Sequence, residues 1–316
     1  MKKIEFDTEN PTADELAYIE SHKGKILNPR LDSTFKAIFT QPTDESRIAL
    51  HDFLEAAIGE DIADVSFEPN DAVQDFAGQR DVDYDINVHF STGEAAEIEM
   101  QAWQQKYDFG KRAEYQAARL LGAYLNKGES WGSVKKVYQI SILDYNYKQE
   151  SDADKENDSV LTRYTMKGER GERLADRLNV IFIELTKLGS AKKYSKNEIA
   201  KLTKAEKWAL FFKKADNSSS SGIVNEIAKT EVGIMNAQKV LSSISSDRAL
   251  LLAQYHAEVR ERDVLSNIEG SFNQGVKQGV SKGIEELEQL LDSGMSLKEA
   301  IKKVREQNAC RGPSES

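Results

Sequence analysis

Two short alternating segments joined by a tight turn constrain this chain more than any other feature. Tyr84-Asp85-Ile86-Asn87-Val88-His89-Phe90 precedes the turn Ser91-Thr92-Gly93, and a second strand runs through Ala96-Glu97-Ile98-Glu99-Met100-Gln101. This is the pattern of a β-hairpin. Residues two apart share a sheet face, so Tyr84, Ile86, Val88 and Phe90 lie on one face and Asp83, Asp85, Asn87 and His89 on the other. Glu97 and Glu99 share a face in the same way, with Gln101 next in line. Asp85, Glu99 and Gln101 can therefore project oxygen-bearing side chains from adjoining strands toward one point. Two carboxylates a few ångströms apart are costly unless a proton or a cation lies between them. Oxygen donors of this kind suit Mg²⁺. The residues alone leave a second reading open, a hairpin that carries surface acids and no site.

Length and composition set the limits. The 316 residues are enough for two domains, or for one domain with an appended helical region. The chain is 39% hydrophobic and 30% charged, and no stretch approaches the roughly 20 apolar residues that cross a bilayer. Met1 to Asp7 lacks the apolar core of a signal peptide, and a soluble, cytoplasmic protein is expected. The single cysteine, Cys310, excludes an internal disulfide and argues against a cysteine-based zinc site. A net charge of −10 argues against a generally basic, nucleic-acid-coating protein. The most cationic stretch runs from Lys187 to Lys214, with Lys192, Lys193, Lys196, Lys201, Lys204, Lys207 and Lys213 between them. It reads first as a solvated helix face beside a linker.

Along the chain, Leu31, Phe35, Ile38 and Phe39 repeat at helical spacing, with Asp32 placed to cap the start. A second helix is expected from about Asp44, ended by Gly59. Ile62 to Phe67 alternates as a strand, the hairpin follows, and Tyr107 to Asn126 is helical again. Val134 to Leu143 is the strongest strand pattern in the chain. This order is that of an α/β sandwich with a mixed sheet. Lys148 to Asp158 reads as a solvent loop, and Leu161–Met166 and Val180–Leu185 as strands extending the same sheet. From about Ser195 the chain is helical, with Ile199, Leu202, Trp208, Leu210, Phe211 and Phe212 in one apolar cluster. Ser218-Ser219-Ser220-Ser221-Gly222 is expected to be a flexible break. Gly270, Gly275, Gly279 and Gly283 mark a degenerate repeat, read as a weakly stable polar helix or coil. Ser296-Leu297-Lys298-Glu299 has the form of a capping box before a last short helix.

Several segments together resemble the PD-(D/E)XK nuclease family transposases, also described as recombination-promoting nucleases. Asn28-Pro29-Arg30-Leu31-Asp32-Ser33-Thr34-Phe35-Lys36 is similar to the family's opening Asp-x-x-Phe-Lys signature. Tyr84-Asp85-Ile86-Asn87-Val88 resembles its aspartate strand and Ile98-Glu99-Met100-Gln101 its glutamate strand. Lys111-Arg112-Ala113-Glu114-Tyr115, Lys127-Gly128-Glu129-Ser130-Trp131 and Val137 to Leu143 follow in the family's order. The likeness is close over roughly residues 25–145 and looser beyond. It implies a restriction-endonuclease-like mixed β-sheet flanked by helices and followed by a helical C-terminal region. The corresponding division is an N-terminal extension (1–27), a nuclease-like domain (28–190), a helical region with the glycine-spaced tail (191–285), and short helices with a disordered end (286–316).

The resemblance further implies a Mg²⁺-dependent DNA endonuclease linked to recombination or mobile elements, with Mn²⁺ as an alternative ion. Asp85 and Glu99, joined by the Met100 carbonyl, would coordinate the metal, and Gln101 would position the attacking water. Many nucleases of this superfamily carry lysine where Gln101 stands, and a neutral amide supplies no positive charge. Lys36 is the candidate replacement cation. Arg112 is a candidate phosphate ligand, with an ion pair to Glu114 or a neighbour as the other reading. Asp32 is either a second metal contact or, preferably, the helix cap. Tyr115 is read as packed, and His89 as a strand residue. DNA is the expected partner, no membrane is involved, and a homodimer is left open. The rival reading is a non-catalytic DNA-binding or protein-interaction module on the same fold, binding through the Lys187–Lys214 segment and the helical tail.

Overall fold

The computed structural model describes residues 10–67, 85–104, 107–123, 125, 128–147, 158–189 and 194–310, the side chains of 268, 269, 300 and 305–310 excepted. Expectations for the first nine residues, Asp83, Tyr84, Tyr124, Asn126, Lys127, the acidic run at 148–157, Lys192, Lys193 and the last six residues lie outside them.

Three helices open the chain: α1 (Ala13–Ser21), α2 (Asp32–Thr40) and α3 (Asp44–Ile58). Thr43 caps α3 by accepting from the Ser46 N–H, and Gly59 ends it at φ 78°, a left-handed conformation that glycine adopts freely. Asp32 does not cap α2. It is the first helical residue, the cap position is Leu31 without a side-chain bond, and the Asp32 carboxylate turns to Lys36 one turn on. The expected cap is thus corrected.

Strands β1 (Val65–Phe67), β2 (Ile86–Phe90) and β3 (Ala95–Gln101) form an antiparallel meander. Helix α4 (Phe109–Ala123) then carries the chain across to β4 (Val137–Leu143), which pairs parallel with β3. A parallel neighbour requires such a crossover. Strands β5 (Leu161–Thr165) and β6 (Leu178–Glu184) complete one six-stranded mixed sheet of order β1-β2-β3-β4-β6-β5. Its two faces bury different helices. Ile86, Val88, Ile98, Met100, Ile140, Ile142, Ile181 and Ile183 face the main core, while Phe182, Val180 and Leu143 pack on Phe109, Ala113 and Ala117 of α4.

The remaining helices of this part are α5 (Lys196–Lys201), α6 (Lys204–Lys214), α7 (Ser221–Thr230) and α8 (Val232–Ile244). Ser195 with Glu198, and Thr203 with Glu206, form capping boxes that start α5 and α6. Trp208 and Phe212 of α6 are fully buried and meet Phe35, Phe39 and Phe53 of α2 and α3, with ring centroids such as Phe53–Trp208 at 5.4 Å and Phe35–Phe212 at 5.7 Å, while buried Phe211 packs on Trp208 and Phe212. The serine run is not a flexible break. Ser218–Ser220 is a 3₁₀ turn capped by the Asn217 side chain, and Ser221 begins α7 directly.

Contacts divide the chain into two compact units, Met1–Tyr255 and His256–Ser316. Helix α9 (Arg248–Asp292) begins in the first, where Leu251 and Leu252 are buried. Leu27 N–H donates to Ser245 Oγ at 3.1 Å and Asn28 N–H to Gln254 Oε1 at 2.9 Å. These bonds join residues more than two hundred positions apart within one unit. The second unit holds the glycine-spaced remainder of α9, which is helical, and α10 (Leu297–Cys310), preceded by Ser296, whose N–H donates to Glu299 Oε2 at 3.2 Å. No described helix is long and apolar enough to cross a membrane.

Candidate active site

The register of the central strands decides which acids meet. Ile86 lies opposite Ile98 and Asn87 opposite Glu97, so Asp85, one residue before β2, falls beside Glu99. Its Oδ2 accepts the Met100 N–H at 3.1 Å, which anchors it to β3. Its Oδ1 lies 3.0 Å from Lys36 Nζ, and the same ammonium is 3.0 Å from Asp32 Oδ1. Asp32 and Lys36 share a helix face because they are four residues apart.

Glu99 is held from the other side of the sheet. Arg112 Nη2 pairs with Glu99 Oε1, and Gln101 Nε2 donates to that oxygen at 2.5 Å. Gln116, four residues after Arg112 on α4, donates from Nε2 to Glu97 Oε1 and to Glu99 Oε2, each at 3.2 Å. Arg112 also donates to the Tyr107 hydroxyl at 2.9 Å and lies over the Phe109 ring. It has no ion pair with Glu114 in this arrangement. Glu97 and Glu99 are 0% and 2% exposed, so the reading of surface acids on an ordinary hairpin is excluded.

This burial has an electrostatic cost. Burial pushes the Asp85 carboxyl up to about 7, with Asp32 and Glu99 adding to the shift and Lys36 opposing it. Burial, then Glu99 and Asp85, hold Glu97 well above the usual carboxylate range. Glu99 is raised by burial in spite of Arg112. For Lys36 burial acts downward, yet Asp85 and Asp32 outweigh it and its pKa is raised. Four carboxylates thus feel one another with two cations among them, and the Glu97 Oε2 atom has no hydrogen-bond partner. Among the described residues no group of three or more His, Cys, Asp or Glu side chains is arranged to hold a metal. The donors available are two carboxylates and main-chain oxygen. These are hard oxygen ligands of the kind Mg²⁺ takes while keeping several waters.

Glu97 entered the sequence reading only as an accumulated acid, and Gln116 was missed. Its signal was a polar residue at i+4 from Arg112 inside the apolar stripe Ala113, Ala117 and Leu120. The Tyr145 hydroxyl was missed as well. It is buried without a hydrogen-bond partner, and burial followed by Glu99 raises its pKa.

A mixed sheet with flanking helices, acids at the end of its central strands and a helical C-terminal region defines a restriction-endonuclease-like α/β protein. The sequence model of the PD-(D/E)XK nuclease family transposase matches residues 29–271, most of the chain. The chain belongs to that family. No curated protein and no solved structure gives a match.

Proposed function

We propose that the chain is a Mg²⁺-dependent DNA endonuclease linked to recombination or mobile elements, with Mn²⁺ as an alternative ion. The observation that supports this reading is the packing of Asp85 and Glu99 with Asp32 and Glu97, where the described residues supply two cations, Lys36 and Arg112. Asp85 and Glu99 would hold the ion, with the Met100 carbonyl as a third donor. A bound Mg²⁺ supplies Lewis-acid polarisation of the scissile phosphodiester and lowers the pKa of the attacking water.

The remaining roles fall to the chain itself. Gln101, whose amide already lies on Glu99, orients the water through its carboxamide. It carries no charge, so Lys36, beside Asp85, stabilises the negative charge that grows on phosphate. Arg112 is half-buried, held by Glu99 and the Tyr107 hydroxyl, and is the second cation for the DNA backbone once it exchanges the Tyr107 contact for phosphate. Gln116 fixes the rotamer of Glu99 from behind and is a positioning residue.

The non-catalytic module has less support. Of the lysines it would use between Lys187 and Lys214, Lys187 is paired with Glu184, Lys204 with Asp52 and Glu55, and Lys207 with Glu231, and none of these acids belongs to the acidic cluster that the nuclease reading uses. A plasmid-nicking assay in Mg²⁺ compares the native chain with Asp85→Ala. Nicking by the native chain alone supports the assignment. Equal nicking by both proteins rejects the site, and no nicking by either favours the binding module.

A further inference from the structure

The Tyr145 hydroxyl is buried without a hydrogen-bond partner among the described residues, and the reaction outlined above gives it no role. An unmade hydrogen bond of this kind costs free energy in the free chain. The residues on either side impose it. Asp144 N–H donates to the Gln101 carbonyl at 3.0 Å, so the chain leaves β4 beside the end of β3 that carries Gln101. The Asp144 carboxylate pairs with Arg30 at 3.1 Å, and Tyr147 N–H donates to Glu184 Oε2 at 2.7 Å. Between these anchors the Tyr145 ring packs with Phe109, Ala113 and Phe182 on the α4 side of the sheet, the side from which Arg112 holds Glu99.

Its surroundings belong to the candidate site. Glu99, Tyr107 and Arg112 are the groups whose charge reaches it most, ahead of Tyr147. Both Glu99 oxygens are engaged elsewhere, Oε1 by Arg112 and Gln101 and Oε2 by Gln116. Burial, then Glu99, keeps the hydroxyl protonated. It is therefore a donor that finds no acceptor in the free chain. Arg112 meanwhile donates to the Tyr107 hydroxyl at 2.9 Å, the contact it exchanges for phosphate.

We propose that Tyr145 is a substrate-binding residue whose hydroxyl donates to a non-bridging oxygen of the DNA phosphate that Arg112 takes. This role rests on the nuclease reading of the site, but it needs only DNA binding and not cleavage. Phosphate suits the donor, because a hydrogen bond to an ionised oxygen is roughly twice as strong as one between neutral groups.

Tyr145→Phe removes one oxygen and keeps the ring. Fluorescence anisotropy of a labelled duplex, with Ca²⁺ in place of Mg²⁺, compares it with the native chain. The dissociation constant should rise about tenfold, the worth of a hydrogen bond to a charged group. The slope of affinity against salt should stay as in the native chain, because a neutral hydroxyl releases no counterion, whereas Arg112→Gln should reduce that slope by about one. The urea midpoint of Tyr145→Phe should equal or exceed the native one, since no unpaired hydroxyl is then buried. Affinity within twofold of native overturns the proposal, as a trapped water serving as the hydroxyl's partner would give. So does a slope reduced as in Arg112→Gln, which would mean that the hydroxyl acts by placing the guanidinium, and so does a lowered midpoint, which would mean a structural bond in the free chain. A native chain that binds DNA without nicking it refutes the nuclease reading while the anisotropy still decides the role of Tyr145; a native chain that binds no DNA overturns both.

Discussion

Lys36 Nζ lies 3.0 Å from Asp85 Oδ1, joining the first helix of the core to the edge of the central hairpin. This contact brings a cation to a site whose strand offers only glutamine after the glutamate. Replacing Lys36 by Met should lower nicking by at least about tenfold, the loss of one charged stabiliser of the transition state. It should also move the acid limb of the pH–rate profile to higher pH, because Asp85 loses the neighbour that lowers its pKa. Lys36→Arg should recover part of both. A profile that does not move would show that the ammonium is not coupled to Asp85.

The raised pKa of Asp85 gives a pH dependence with a definite sign. Burial lifts it from 3.8 to about 7 on folding. The folded chain therefore holds a proton that the unfolded chain releases, and this contribution to stability is full below pH 3.8 and lost as pH rises through about 7. Mg²⁺ binding needs the ionised form. The thermal shift produced by Mg²⁺ should thus grow from pH 5.5 to pH 8, and nicking should rise up to tenfold per unit below pH 7 and level off above it. Differential scanning fluorimetry at the two pH values checks the first, and initial rates the second.

Glu97 and Glu99 are two residues apart and both buried, yet they are expected to respond in opposite ways. Glu97 has an oxygen without a hydrogen-bond partner and is pushed well above the usual carboxylate range by burial and by Glu99. Glu97→Gln should raise stability at pH 8 by about 1 kcal/mol and leave nicking within a few-fold of native. Glu99→Gln should abolish nicking. Parallel urea titrations and plasmid assays on the two variants make the comparison. Loss of activity in both would place Glu97 among the groups that touch the ion.

Gly233 in α8 lies against α3. A Cβ there would sit 2.2 Å from the Asp52 Cβ, and Asp52 accepts from Trp208 Nε1 and Lys204 Nζ, both at 2.8 Å. Gly233→Ala should destabilise the first unit by about 1–3 kcal/mol through overpacking and displacement of that carboxylate. Urea unfolding followed by tryptophan fluorescence measures it. An unchanged midpoint would mean that the helices can separate without cost.

Much of the central sheet was legible because its signals are local. Alternation over 84–90 and 96–101 gave the hairpin, and the turn Ser91-Thr92-Gly93 fixed its register, which in turn sets Asp85 beside Glu99. Gly59 marked the end of α3 for a stereochemical reason. Asp32 was misread as a cap because the same residue type serves at a helix start and in an i,i+4 pair, and only the position of Lys36 relative to Asp85 decides between them. Gln116 showed only as a polar residue inside an apolar stripe, since its partners are 19 and 17 residues away, across a crossover that the sequence does not orient. The serine run suggested flexibility by composition alone, whereas a capping Asn217 and the packing of neighbouring helices hold it in a turn. The helices after Ser195 read as an appendage because burial against α2 and α3 depends on partners far away in the chain.

That aromatic seam has a consequence for biosynthesis. Phe35, Phe39 and Phe53 are made before the rings that cover them, Trp208 and Phe212, which come more than 150 positions later. A chain that stops before these are translated leaves the three phenylalanine rings without the side chains that bury them. Helix α2, which brings Lys36 to Asp85, therefore gains its aromatic cover only after α6 has been made.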